Sequence, residues 1–274
     1  MALCVNCTPA QPVENETIYV SILPLRGLVH EILGDDFPIE VLVPAGASPE
    51  TFEPTPRQFV ALNQAQLVFN VGLIDFETAL LQKMEDAQKV INLSQGIELL
   101  GGSCAHSHHH SHHHVHGIDP HVWTSPKALQ RMAANAYAAI RSHYPDSVKY
   151  EANYLQLCSK LEALDKQTAQ QIAESGVKLF VIYHPALTYY ARDYGLQQIA
   201  IEEEGKEPSA RHLARLIEQA RGQKVRNIFY QSQFPASTVE VIAGDIGAET
   251  VQFDPLCEEL LANIETFTRL ITAP

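Results

Sequence analysis

From Asp146 to about Glu174 the chain contains neither glycine nor proline, and this run separates two stretches that share one pattern. A helix of almost thirty residues would span about 40 Å at 1.5 Å per residue, enough for a strut between two bodies. Ahead of it, Ile18-Tyr-Val-Ser-Ile-Leu23 reads as a β-rich strand ending at Pro24, and Leu25 to Leu33 as a helix closed by Gly34. The alternation continues with a strand over Ile39 to Val43, a Pro/Gly-rich loop from Pro44 to Pro56, and a helix over Arg57 to Asn63. Strands follow over Leu67 to Val71 and Lys89 to Leu93. Helical periodicity over Pro126 to His143 stops at Tyr144-Pro145, and Asp146 is placed to cap the strut. After Ser175-Gly176 the pattern returns, with strands over Val177 to Tyr183, Leu196 to Ile201, Val225 to Tyr230 and Thr250 to Phe253. Helices fall between them over Ala186 to Tyr194, Ser209 to Arg221 and Ala236 to Ile246, and a last one runs to about Ile271. Strands alternating with helices predict an α/β chain with parallel sheets built from crossover units. The expected organisation is a signal remnant or tether over 1–17, an N-terminal lobe over 18–145, a linking helix over 146–175 and a C-terminal lobe over 176–274. A length of 274 residues suits two lobes better than one minimal core.

Charge narrows the function. With 19 basic against 32 acidic residues the formal net charge is −13, so the chain lacks the basic footprint of nucleic-acid binding and would attract a cation instead. No run of 18 or more apolar residues occurs, which excludes a spanning helix in the sequence as it stands. The start is apolar up to Cys7 and then polar and proline-rich, like the end of a bacterial lipoprotein signal cut before an acylated cysteine, although a basic n-region and a full h-region are missing. Cys7 is therefore the lipidation candidate, and the expected location is the periplasm or cell envelope, with a possible lipid anchor. Setting Cys4 and Cys7 aside leaves Cys104, Cys158 and Cys257, an odd number without framework spacing, and no disulfide is expected.

Chemistry concentrates in histidine. His106, His108, His109, His110, His112, His113, His114 and His116 place eight of the thirteen histidines in one Gly/Ser-flanked loop, 101–117. Imidazole suits zinc, copper and nickel, and such a tract is expected to be disordered until it collects metal in several interchangeable weak sites. Just beyond it, His121 stands in the Pro-flanked turn Gly117-Ile-Asp-Pro-His-Val-Trp-Thr-Ser-Pro126, with Trp123 available to exclude water. His184 follows the apolar strand Leu179-Phe-Val-Ile-Tyr183, and Asp254 follows Val251-Gln-Phe253. Two imidazoles and a carboxylate at strand ends make a reasonable zinc set that needs one further ligand from the first lobe. The acidic run Glu202-Glu-Glu-Gly-Lys-Glu207 reads mainly as a solvated loop, with hydrogen bonding behind a metal ligand or docking as the other reading. His30, His143 and His212 read as surface or packing residues.

Five motifs now stand in order. These are Gly46-Ala-Ser-Pro-Glu-Thr-Phe-Glu-Pro-Thr-Pro56, Asp119-Pro-His-Val-Trp123, His184 with Tyr189-Tyr-Ala-Arg-Asp-Tyr-Gly195, Glu207-Pro-Ser-Ala210 and Phe253-Asp-Pro-Leu256, within a match that runs over roughly residues 18 to 271. Together they resemble the zinc and manganese solute-binding subunits of bacterial ABC importers, the cluster A-I group. The resemblance implies two Rossmann-like lobes with parallel sheets joined by one long helix, and a metal site in the interlobe cleft. It also implies Zn2+ as the transported ligand, Mn2+ as the alternative, and a monomer that delivers metal to a membrane permease. Carried over by residue, His121 and His184 match family ligands and Asp254 matches the aspartate that many members use. Glu50 stands where histidine is usual, so the implied set is Glu50, His121, His184 and Asp254, with Glu53 as a weaker substitute. Two carboxylates with two imidazoles tolerate manganese or iron better than three imidazoles do. A manganese or iron carrier, and a zinc buffer or adhesin lipoprotein, use the same site and stay open as alternatives. The chain has no H-E-x-x-H and no G-x-S-x-G, so an enzyme is not expected, and without a P-loop the ATPase of an importer must be a separate chain.

Overall fold

A computed structural model describes residues 16–101, 117–145, 147–203, 206, 208–234 and 236–273. The first half runs β1 (Ile18–Val20), α1 (Leu23–Leu33), β2 (Ile39–Val41), α2 (Pro56–Gln64), β3 (Val68–Asn70), α3 (Asp75–Leu81), β4 (Val90–Asn92) and α4 (Pro126–His143). The long helix α5 (Val148–Ser175) follows. The second half runs β5 (Leu179–Ile182), α6 (Thr188–Tyr194), β6 (Gln197–Ala200), α7 (Ala210–Gly222), β7 (Asn227–Tyr230), α8 (Ala236–Ile246), β8 (Glu249–Gln252) and α9 (Leu260–Thr272).

Local sequence explains most of the boundaries. Pro24 falls in the first turn of α1 rather than ahead of it, because a helix N-terminus leaves that N–H unbonded in any case. Thr55 and Gln58 form a reciprocal capping box on α2, and the side chains of Ser125 and Ser209 cap α4 and α7. The N-cap of α5 is Ser147, and Asp146 lies outside the described residues. The helix ends at Gly176, whose φ of 71° is the left-handed conformation that glycine adopts at least cost. The sequence predicts no helix between β3 and β4, yet α3 is there. Seven residues are too few for a helical period to show, and the segment is set by Glu77, which is buried and accepts the backbone N–H groups of Val71 at 2.9 Å, Gly72 at 2.7 Å and Ile74 at 3.3 Å.

The two sheets repeat one topology. Their strand orders are β2-β1-β3-β4 and β6-β5-β7-β8, with every pair parallel. Tyr19 is in register with Glu40 on one side and Val68 on the other, just as Val181 is with Ile199 and Ile228. In each sheet the chain steps outward from its first strand and then returns to the opposite side. This opens a crevice beyond the carboxyl ends of β1 and β3, and another beyond β5 and β7. β3 and β5 are buried along their whole length, as strands of a sheet covered on both faces must be.

α5 buries Tyr150, Leu157, Leu161, Leu164 and Ile172 and packs against α1, α4 and α9, so it touches helices from both halves. One continuous core takes in Val20 and Phe69 from the first sheet and Phe180, Phe229 and Phe267 from the second half. A separate core around Val181, Ile201, Leu216, Ile228 and Ile242 covers the other face of the second sheet. Burying each such side chain contributes about 1.5–3 kcal/mol, so a wide hinge opening along α5 would expose surface the fold cannot spare. Polar links cross the same junction. Arg26 forms a two-point ion pair with Glu258, Trp123 donates Nε1–H to the Pro255 carbonyl at 2.8 Å, and the Tyr189 hydroxyl donates to the Asp119 carbonyl at 2.8 Å. Cys158 and Cys257 are free thiols. Among the described residues no helix is long and apolar enough to cross a membrane.

Candidate metal centre

His184 follows directly on β5, where the Tyr183 N–H extends the ladder to the Phe229 carbonyl. Gln231, at the end of β7, holds its backbone from both sides: Oε1 accepts the His184 N–H at 3.3 Å, and Nε2 donates to the His184 carbonyl at 3.0 Å. His121 sits at the start of the 3-10 turn Val122–Thr124 and is fixed by Asp119, whose Oδ1 accepts both its backbone N–H at 2.9 Å and its Nδ1 at 2.8 Å. Glu50 arrives from the loop that follows β2. The three side chains converge in the crevice beyond the strand ends.

Each imidazole is tied at Nδ1 to a carboxylate behind it and turns Nε2 towards the cluster. His184 Nδ1 meets Glu202 Oε1 at 2.9 Å, so both rings are backed by a carboxylate that fixes tautomer and orientation. The two Nε2 atoms face each other at 3.4 Å, and Glu50 Oε1 lies 3.3 Å from His184 Nε2. One ligand atom from each residue lies within 4.8 Å of the other two. The cavity around them measures about 50 Å³ and is walled by Ile74, Pro120, Trp123, Phe234, Pro255 and Leu256. Phe234 stacks on the His184 ring with centroids 5.7 Å apart, and Trp123 flanks His121 at 5.1 Å. The imidazoles are nearly enclosed while the Glu50 side chain is 46% exposed, so Glu50 is the face a cation meets first.

The electrostatics suit a cation. Burial works against the charged form of His184, but hydrogen bonds and charge from Glu202 and Glu50 outweigh it and push its pKa up to about 10. The hydrogen bond from His184 holds Glu50 below the usual carboxylate range against the effect of burial. Burial likewise opposes ionisation of Asp119, and the charge and hydrogen bonds of His121 reverse it. Without metal, a proton stands where positive charge is wanted.

Three of the four sequence-derived ligands are thus brought together. Asp254 is not in the cluster: its Oδ1 accepts the Leu256 N–H at 2.9 Å and its carbonyl takes Asn263 Nδ2 at 2.8 Å, so it shapes the loop whose Pro255 and Leu256 wall the cavity. The histidine tract 106–116, Cys104 and Cys7 lie outside the described residues. The solvated reading of the 202–207 run is corrected at Glu202, which is buried behind His184. Glu203 is bound to the Ser209 N–H and faces His212. His30 pairs with Asp35, His143 with Gln66 and His212 with the Ala200 carbonyl, which are surface and packing roles. Sequence reasoning did not assign Asp119, Gln231 or Phe234. The available signals were an acid two residues before a Pro-flanked histidine, and polar and aromatic residues placed just past a buried strand.

Two parallel sheets whose crevices meet over a Glu-His-His donor set, each imidazole backed by a carboxylate, define a two-lobed metal-binding protein. Over residues 18–273 the sequence matches the profile of the ZnuA family, described as zinc-uptake complex component A, periplasmic, and the chain belongs to that family. It is 32% identical over 243 residues to the high-affinity zinc uptake system protein ZnuA of Bacillus subtilis, covering 85% of this chain and 76% of that one. It is 29% identical over 248 residues to the zinc-binding lipoprotein AdcA of Streptococcus pneumoniae, covering 87% of this chain and only half the length of that relative. A crystal structure of ZnuA superposes with a TM-score of 0.82 at 34% identity, covering 93% of this chain and 97% of the other. The two-sheet α/β architecture and its long linking helix are those of the family.

Proposed function

We propose that this chain captures zinc outside the cytoplasm with Glu50 Oε1, His121 Nε2 and His184 Nε2 as ligands, and passes it to the permease of an ABC-type importer. The observation that carries the reading is a distance. Two donors on one zinc at about 2.0–2.1 Å in a tetrahedron stand about 3.3–3.4 Å apart. The His121–His184 and His184–Glu50 donor pairs stand 3.4 and 3.3 Å apart. Both His121 and Glu50 therefore stand at ion-bound spacing from His184 before the ion arrives.

Zinc as cargo is supported by the family and by the donor chemistry, since two rigid imidazoles suit zinc better than the all-oxygen shells preferred by harder cations. The histidine tract serves as an accessory collector that raises the local metal concentration. Segments 18–145 and 176–274 act as lobes that move little about α5, because they share one core. Release then depends on a small tilt or loop rearrangement when the permease docks, and equal metal affinity of free and docked protein would contradict this step.

The test is a competitive titration of metal-stripped protein with zinc and manganese. One tight zinc equivalent is expected in the wild type and in a version lacking residues 106–116. It should weaken in Glu50→Ala and disappear in His184→Ala. Loss of tight binding with the loop alone would show that the tract, not the cleft, is the main site.

A further inference from the structure

Beside the three ligands, the metal cavity is lined by the polar residues Ser48, Gln231 and Gln233. Nε2 of Gln233 is buried and has no hydrogen-bond partner among the described residues, although Gln233 lines the same cavity as Glu50, His121 and His184. A buried donor left unpaired costs about 1–3 kcal/mol, so a group in this position calls for an acceptor. Gln231 engages its amide on the His184 backbone, and most of the remaining lining, Ile74, Phe234 and Leu256 among it, is apolar.

The donor count points the same way. Tetrahedral zinc takes four ligands and the cluster offers three, while the Asp254 carboxylate is held by its own loop. The cavity of about 50 Å³ accommodates an ion and one water-sized molecule, whose share of liquid volume is about 30 Å³.

We infer that the fourth position on the bound metal is filled by an exchangeable small ligand, a water or a small anion, held by a hydrogen bond from Gln233 Nε2. This rests on the zinc-capture reading above. The protein then never encloses its cargo with its own donors alone. An incoming donor can replace the small ligand before any bond from Glu50, His121 or His184 is broken, and Gln233 sets how readily it leaves.

The experiment replaces zinc with Co2+, whose visible absorption reports coordination number and ligand type, and titrates the loaded protein with azide. Azide should shift the cobalt bands of the wild type and of Asp254→Asn in a saturable one-to-one step. It should bind about tenfold more weakly to Gln233→Leu and Gln233→Met, the loss of one hydrogen bond. Spectra without azide, recorded across pH, tell water from a buffer anion, because only bound water loses a proton.

Four results would overturn the inference. One is a wild-type spectrum that azide leaves unchanged, and another is azide binding to both Gln233 variants as tightly as to the wild type. A response that appears only in Asp254→Asn would give the fourth position to Asp254, and one that appears only in the Gln233 variants would give it to the Gln233 carbonyl. A cobalt spectrum unaltered in His184→Ala is a different failure, since it removes the metal from this cluster and sinks the zinc-capture reading as well.

Discussion

Gly27 lies inside α1, where its backbone conformation would admit any residue, so its reason for being glycine is space. A Cβ built there would stand 2.1 Å from the carbonyl oxygen of Glu258 and 3.2 Å from its carbonyl carbon. Carbon–oxygen contacts normally sit near 3.3 Å or beyond, so Gly27→Ala must part helix and loop by about 1 Å. The obstacle is backbone on both sides and cannot rotate away. Overpacking of this kind costs about 1–3 kcal/mol, and alanine returns up to about 1 kcal/mol in helix propensity. The net loss is about 1–2 kcal/mol, or a fall in Tm of about 2–8 °C for a chain of this size. Thermal unfolding of metal-free protein by circular dichroism measures it. Gly222→Ala, at the end of α7 with nothing within 4 Å of the added carbon, is the control and should hold or slightly raise Tm. The displaced segment also carries Pro255 and Leu256 of the cavity wall, so Gly27→Ala should weaken zinc binding while Gly222→Ala should not. A Gly27→Ala protein as stable as the wild type would refute the claim that this contact locks the two halves.

Three further outcomes can be checked directly. Glu202→Gln should lower zinc affinity by about 10–100-fold in a chelator competition, because His184 loses the carboxylate that orients it; an unchanged affinity would deny Glu202 that role. Glu77→Gln should cost about 1–3 kcal/mol in urea unfolding, since an amide NH2 would then face backbone donors that Glu77 now satisfies. The hydrogen bond from Arg26 lowers the Glu258 pKa below that of an ordinary glutamate, so its contribution is present above the unfolded value and lost as pH falls through the lowered one. Glu258→Gln should therefore flatten the acid side of the stability curve between about pH 5 and 3, by no more than about 1 kcal/mol because the pair is partly exposed to solvent; an unchanged acid slope would contradict it.

The alternation of apolar runs made the architecture legible, and α4 begins and ends where Pro126 and the Tyr144-Pro145 stop indicate. Strands are shorter than their apolar runs. Of Ile18 to Leu23 only Ile18–Val20 form the strand and the ladder hydrogen bonds end at Ser21, because the chain turns into α1 at Leu23. The two imidazoles of the cluster were legible because each follows a strong local signal, a Pro-flanked turn or a buried strand. What supports them was not. Asp119 and Glu202 are ordinary acidic residues in sequence, and their roles arise only when tertiary packing buries them against a histidine. Glu77 shows the same limit, since its partners Val71, Gly72 and Ile74 offer backbone rather than side chains. Position alone could not show that Asp254 turns its carboxylate to its own loop.

The strands bring together donors that lie far apart along the chain: His121 and His184 are separated by 63 positions and belong to opposite sides of α5. No unfolded or half-folded chain can present them together, so an ion held by both would favour the native state, whereas metal collected by the tract 106–116 would not discriminate. At about a hundred times its Kd, a ligand of that kind adds about 2.7 kcal/mol to stability. Opening of the loaded chain becomes rarer by the same factor, and with it the exposure of cleavage sites to proteases. Metal supply would then set the lifetime of the carrier as well as its traffic, which a trypsin time course with and without zinc can read as a difference in half-life.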